Sequence, residues 1–318
     1  KRQKTLLELG WQSSKAQTNL KQAEITRLVK HVYLQLQYVQ MKQQLLQKTD
    51  SIFSKFQKVA KLRFEKGETN LLEKATLDNQ VQQLQMQMQM LLADKQNASL
   101  QLGVLLNTEG MFDATDSLTY TTDLFDSSSL SQHPILNYYK QQQQLASGET
   151  QLEKARLSPD WMMGYSNQSI VGFQKNKDAT ESYYDGGKRF STVQLGIAVP
   201  VFNKAQKAKI NAAHQKESIA AASTEIAEQN LKLQLQKNWN EYVKYQQAIE
   251  YYKSSALPQA EIIIQTANLK YKNGQINYIE WGSLISNAVN LQTEYADVLR
   301  EFNIRKIELE YLLQPNKN

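Results

Sequence analysis

Two glutamates carry the strongest chemical signal in this sequence, because they recur in one local phrase. Glu73 lies six residues after Gly67 in "LRFEKGETNLLE", and Glu280 lies six residues after Gly274 in "LKYKNGQINYIE". A carboxylate near a helix N-terminus reads as a solvated or capping group that complements the helix dipole. Other residues able to do chemistry are sparse. There is no cysteine, which excludes disulfides, thiolate metal sites and a cysteine nucleophile. His31, His133 and His214 lie far apart with no ligand spacing around them, so each reads as a solvated or packing histidine. "QMQMQM" at 85–90 puts Met86 and Met90 on one helical face; thioethers suit Cu(I), but core or groove filling is favoured. No phosphate-binding glycine loop, nucleophile elbow or HExxH motif occurs. The bases form no stripe with interleaved aromatics, which argues against nucleic acid. The expectation is a protein that is not an enzyme and uses no cofactor or metal.

The elements that must position the two glutamates are long. Only 12 glycines and 5 prolines punctuate 318 residues, so extended uninterrupted helices are expected. Residues 2–64 read as one helix, with Ile25, Leu28, Val32, Leu36, Val39, Leu46, Phe53 and Phe56 at heptad-type steps. At 1.5 Å per residue it would be roughly 90 Å long. Gly67 stops it. A second helix follows, with Leu77, Val81, Leu84, Met88, Leu91, Ala98, Leu102 and Leu105 on one stripe. The short gap implies an antiparallel hairpin, so residues 1–106 form one helical hairpin. Residues 107–132 are rich in Ser, Thr and Asp and read as an irregular connector holding a short strand at Leu118–Thr121. A third helix occupies 133–157, opening at His133-Pro134.

The period then changes to two. Trp161, Met163, Tyr165, Val171 and Phe173 share a face, and Val193, Leu195, Ile197, Val199 and Val201 alternate with smaller or polar residues. Residues 158–203 therefore read as a β-hairpin, with "YYDGGKR" as the turn between its strands. Trp161, Tyr183 and Tyr184 fit membrane-interface aromatics and fit loop or hairpin packing equally well. From 204 to 318 the helical pattern resumes, interrupted near Pro258 and broken at Gly274. This last segment repeats the first. A shift of 207 residues carries Leu77, Leu84, Leu102 and Leu105 onto Leu284, Leu291, Leu309 and Leu312, and carries Gly67, Asn70 and Glu73 onto Gly274, Asn277 and Glu280. No gap is needed, so the chain holds two copies of one hairpin and the recurring phrase is its bend. Strands precede the second copy. The chain opens inside the helical pattern of the first, so a matching pair of strands is expected upstream.

Long paired helices suit either a soluble coiled-coil scaffold or periplasmic adaptor, or the wall of a tube. Strands with one greasy and one polar face suit the second, because a membrane β-barrel alternates lipid-facing and lumen-facing residues over about 9–11 positions. The passage "VQLGIAVPVFNKAQKAKINAA" and the bends "RFEKGETNLLE" and "KYKNGQINYIE" resemble the TolC family of outer-membrane efflux factors, and the resemblance spans nearly the whole chain. It extends to TolC-like portions associated with heavy-metal pumps of the CusA/CzcA type.

The resemblance implies a mainly α fold of long coiled-coil hairpins in two repeats. It also implies a β-hairpin that contributes to a trimeric transmembrane barrel of four strands per protomer. It implies an exit duct for efflux or secretion in the outer membrane of a Gram-negative bacterium, with its helical part in the periplasm. The partners would be a periplasmic adaptor, an inner-membrane RND-type pump and outer-membrane lipid. The adaptor would meet the bends, at Arg63, Phe64 and Gly67 and at Lys270, Gly274 and Ile276. The closing carboxylate of the family falls on Glu280, with Glu73 its equivalent in the first copy, and the latch aromatic falls on Tyr271, which would hydrogen-bond Glu73 of a neighbouring protomer. Two positions depart from the family pattern. A base two residues after the second bend glycine is replaced by Ile276, and a second carboxylate three residues beyond Glu280 is replaced by Ser283. These weigh against a salt-bridge latch and a double acidic ring.

Overall fold

The computed structural model describes residues 2–67, 70–123, 125, 127–200 and 202–313. Its elements are α1 (Arg2–Glu65), α2 (Leu71–Leu106), α3 (Pro134–Ala155), β1 (Asp160–Lys175), β2 (Glu181–Ala198), α4 (Lys204–Tyr251), α5 (Leu257–Lys272) and α6 (Tyr278–Leu313). A 3-10 turn spans Ser127–Gln132 and a π-helical turn spans Tyr252–Ala256. The chain divides into two compact units that cut across the helices, residues 17–137 with 226–318, and residues 1–16 with 138–225.

The larger unit is built on heptad spacing. Val39, Leu46, Phe53 and Ala60 recur every seventh residue of α1, and none is more than 8% exposed. Against them α2 contributes Leu77, Val81, Leu84 and Leu102, and α6 contributes Trp281, Ile285, Ala288, Leu299, Phe302 and Leu309. Each large side chain removed from water in this way contributes about 1.5–3 kcal/mol. The expected stripe is not uniform, however. Ile25 and Leu28 remain nearly half exposed, and burial in α1 shifts to Leu34, Leu36 and Tyr38. Pro258 does not break its helix. The N–H of Leu257 reaches the carbonyl of Tyr252, so the π turn absorbs the missing donor and runs directly into α5. The equivalent position in the first copy is Ser51, inside regular α1.

The connector beside this unit forms no strand at Leu118–Thr121. Asn303 Nδ2 donates to the Thr119 carbonyl at 3.2 Å, Lys306 Nζ to the Thr121 carbonyl at 3.2 Å, and the Tyr120 ring packs on Phe302. Side chains of α6 thus supply partners that a second strand would otherwise provide.

In the smaller unit, the start of α1 lies close against α3. A Cβ on Gly148 would come within 2.8 Å of Leu9 Cδ1, so glycine sets the spacing, and Gln142 Nε2 donates to Ser13 Oγ at 2.8 Å. The hairpin pairs Asp160↔Ala198 through Ser169↔Arg189, then Val171↔Asp185 through Lys175↔Glu181. Its turn is not "YYDGGKR". The strands turn at 176–180, where the Asn176 N–H bonds to the Thr180 carbonyl at 2.8 Å and Ala179 takes a φ of 62°. Asp185-Gly186-Gly187 instead form part of an irregularity within β2, where one residue of β1, Ile170, faces three of β2, Gly186, Gly187 and Lys188. Gly186 has a φ of 85° there, and Asp185 Oδ1 accepts the Gly187 N–H at 2.8 Å. The glycines serve a bulge, which uses the same backbone freedom as a turn.

Candidate functional site

The two bends have the same geometry. Helix α1 ends where the Gly67 N–H bonds to the Phe64 carbonyl at 3.0 Å, and α5 ends where the Gly274 N–H bonds to the Tyr271 carbonyl at 3.0 Å. The glycines take φ values of 73° and 68°, a left-handed conformation that a side chain disfavours. Each following helix is then started by an asparagine. Asn70 Oδ1 accepts the Glu73 N–H at 2.9 Å, and Asn277 Oδ1 accepts the Glu280 N–H at 2.9 Å. The Gly, Asn and Glu of the repeated phrase therefore stop one helix, cap the next and place a carboxylate in its first turn. Glu68 and Thr69 of the first bend lie outside the described residues.

The expected site residues divide into two groups. Arg63, Tyr271 and Glu73 come together within one chain. The Arg63 guanidinium lies 5.9 Å from the Tyr271 ring centre, and burial, followed by the charge of Glu73, raises the Tyr271 hydroxyl above its usual pKa, while Arg63 opposes the rise. Tyr271 is only 6% exposed, and its hydroxyl makes no hydrogen bond among the described residues. Phe64, half-buried, carries the Lys74 ammonium at 5.3 Å. Glu280 stands apart. Its side chain is exposed and has no salt-bridge or hydrogen-bond partner among the described residues. Lys270, Gly274 and Gly67 are exposed, and Ile276 is half-buried against the core.

An aromatic cluster supports the bends, and its second half is not apparent from the repeat. Trp281 is fully buried, 4.1 Å from Phe56 and 5.3 Å from Phe53 between ring centres, and its Nε1–H donates to Asn268 Oδ1 at 2.9 Å. Tyr271 and Tyr278 pack on the same indole. The first copy has Leu71 and Lys74 where the second has Tyr278 and Trp281. The available signal was the Tyr-x-x-Trp spacing, one helical turn, just inside an asparagine cap.

Other candidates resolve simply. Met86 and Met90 are exposed rather than buried in the core. Met90 lines a groove of about 330 Å³ with Leu46, Phe53, Leu84 and Asp94. His31 Nε2 meets Glu308 at 2.6 Å, His133 is buried, and His214 is exposed. Among the described residues no group of His, Cys, Asp and Glu is arranged to hold a metal ion, and no helix is long and apolar enough to cross a membrane.

The hairpin presents a second surface. Cross-strand partners share a face, so Trp161 and Ile197, Met163 and Leu195, and Tyr165 and Val193 form one continuous apolar patch. These residues are 53–82% exposed. Farther along the same face stand Asn167, Ser191, Ser169 and Arg189. The opposite face is mixed, with Gly164, Gln194, Ser166 and Thr192 between exposed Met162 and Phe190. Neither face is covered.

No protein-family model and no curated protein matches this sequence. Solved structures do match. A membrane protein from Pseudomonas aeruginosa superposes with a TM-score of 0.85 at 16% identity, over 98% of this chain and 74% of that one. The CmeC outer membrane channel of Campylobacter jejuni gives 0.84 at 12% identity, over 99% and 68%. CusC, described by its transmembrane channel formation, gives 0.80 at 15% identity, over 99% and 74%. Identities this low establish shape alone, and the shape includes both the duplicated hairpins and the strands between them. The chain has the fold of the TolC-type outer-membrane channels.

Proposed function

We propose that this protein is a passive exit duct of a tripartite efflux or secretion system. It would sit in the outer membrane of a Gram-negative bacterium as a homotrimer and perform no covalent chemistry. The observation that carries this reading is the uncovered hairpin. Strands of 16 and 18 residues expose both faces, and the apolar face shows Trp161, Met163 and Leu195 at 79% exposure or more. In water such a face is an aggregation hazard; in lipid it is the outside of a barrel wall. Channel proteins with the same fold support the reading.

The bends are the proposed docking points for a periplasmic adaptor, itself coupled to an inner-membrane RND-type pump, with metal-ion export as the finer assignment. Gly67 and Gly274 leave open space around their Cα atoms, and Arg63 and Lys270 are exposed beside them, so a partner's backbone can approach closely. Glu280, with its exposed carboxylate, is the proposed gate residue, and Tyr271 with Glu73 is the proposed latch.

The test is the full-length gene product, purified in detergent and reconstituted in a planar bilayer. A detergent-dependent trimer with discrete single-channel currents is expected. A stable monomer in detergent-free buffer, with no affinity for vesicles, would instead identify a soluble scaffold.

A further inference from the structure

The foot of the hairpin, where the strands meet the helices, has a charge pattern that the duct reading does not explain. Exposed apolar residues on the hairpin fall in two stretches: Trp161 to Tyr165 with Val193 to Ile197 beside the helices, and Val171, Phe173 and Tyr183 nearer the turn, with Asn167, Ser169, Ser191 and Arg189 between them. The stretch beside the helices ends close to the start of α4. Two aromatic side chains stand at that end, Trp161 at 82% exposure and Phe202 at 98%. Just beyond them come Lys204, Lys207 and Lys209, all exposed, and none forms an ion pair among the described residues. No carboxylate appears in α4 before Glu217. Gln206 fixes the segment by donating to the carbonyl and carboxylate of Glu153 at 2.9 and 2.7 Å, which brings the end of α3 alongside. Between them lies a cavity of about 390 Å³ with an apolar floor that includes Leu6 and Leu152. Lys209 and Lys216 line it, as do Glu149 and Glu153, the latter engaged by Gln206 and by Arg156 at 2.8 Å.

We propose that this foot binds anionic phospholipid in the membrane leaflet on the helical side. Trp161 and Phe202 lie at the level of the glycerol esters, and Lys204, Lys207 and Lys209 meet the phosphodiesters. An indole, with one wet and one apolar edge, belongs at this depth, the phenyl ring of Phe202 adds apolar anchorage beside it, and unpaired ammonium groups just outside an apolar stretch complement a negative surface. The proposal rests on the outer-membrane reading and adds a lipid preference to it. It also gives the lysines a role separate from conduction, as the element that sets how deeply the hairpin sits.

The test is flotation of the full chain with phosphatidylcholine vesicles, with and without phosphatidylglycerol. Each lysine near an anionic surface strengthens binding roughly fivefold, so phosphatidylglycerol should tighten association by about 100-fold at low salt. The effect should collapse in K204Q/K207Q/K209Q and at high ionic strength. Lys55→Gln, Lys58→Gln and Lys61→Gln together change net charge equally on exposed positions of α1 and should leave it intact. Equal affinity for both vesicle types, or equal losses in the two triple variants, overturns the proposal while leaving the outer-membrane reading in place. A change in trimer mass without a change in lipid preference assigns the foot to a second copy and also overturns it. Failure to float with either vesicle removes both readings. Exposed Lys→Gln changes leave helicity unaltered, and circular dichroism checks this.

Discussion

At the residue scale, the most perturbed group with a clear consequence is His133. It caps α3: its Nδ1 accepts the Ile135 N–H at 3.2 Å, which assigns the remaining proton to Nε2, and Pro134 fills the first helical position. The ring is 1% exposed and meets Tyr311 edge-on. Burial lowers its pKa to about 4, helped by the charge of Arg27 and opposed by the Tyr311 carbonyl. A folded pKa below the unfolded value means that the unfolded chain takes up the proton first. The stabilisation is therefore complete above pH about 6.5, declines as pH falls, and levels off below about 4. Over that interval the loss is roughly 3 kcal/mol at 1.36 kcal/mol per unit. His133→Asn keeps a capping oxygen and removes the titration. Urea unfolding at pH 7 and pH 4.5 should show a smaller acid-induced loss in the variant than in the parent. Equal losses would place the acid sensitivity in other groups.

At the element scale, the bends rest on two glycines whose only strain is conformational. No neighbour lies within 4 Å of a Cβ built on Gly67 or Gly274, so alanine at either costs only the positive φ, about 1–2 kcal/mol. Gly10 is the converse. It lies inside α1, with nothing near its Cβ, and alanine there should stabilise by about 0.5–1 kcal/mol. Chemical denaturation of the three single variants should give two losses and one gain; a loss at Gly10 would show a neighbour that needs the space. The same contrast explains what the sequence revealed. Gly67 and Gly274 were legible because they recur with an asparagine three residues later, and one backbone geometry explains both. Gly186-Gly187 were misleading, since a bulge and a hairpin turn require the same freedom and no local pattern separates them. The strand expected at Leu118–Thr121 failed because its backbone partners are Asn303 and Lys306, far away in sequence. Trp281 escaped notice because the repeat hides it: the first copy has Lys74 there.

At the scale of the whole molecule, duplication makes two similar bends, and divergence then gives their glutamates different surroundings. The first places Glu73 half-buried, close enough to Tyr271 for its charge to act on that hydroxyl. The second leaves Glu280 exposed at the first turn of α6. Its backbone N–H is already satisfied by Asn277, so the fold needs only the cap and the carboxylate is left for solvent or a partner. In a closed threefold assembly one exposed carboxylate per chain becomes three around an axis, and like charges gathered there concentrate cations in proportion to their proximity. Ile276 and Ser283 supply no compensating charge on either side. Glu280→Gln in the reconstituted trimer should therefore lower cation selectivity or weaken divalent-ion block, while Glu73→Gln should mainly affect stability through the Tyr271 environment. Bilayer recordings with mixed monovalent and divalent salts distinguish the two variants. Unchanged selectivity and unchanged block in Glu280→Gln would reduce its carboxylate to a helix-terminus charge, stabilising α6 by a few tenths of a kcal/mol and nothing more.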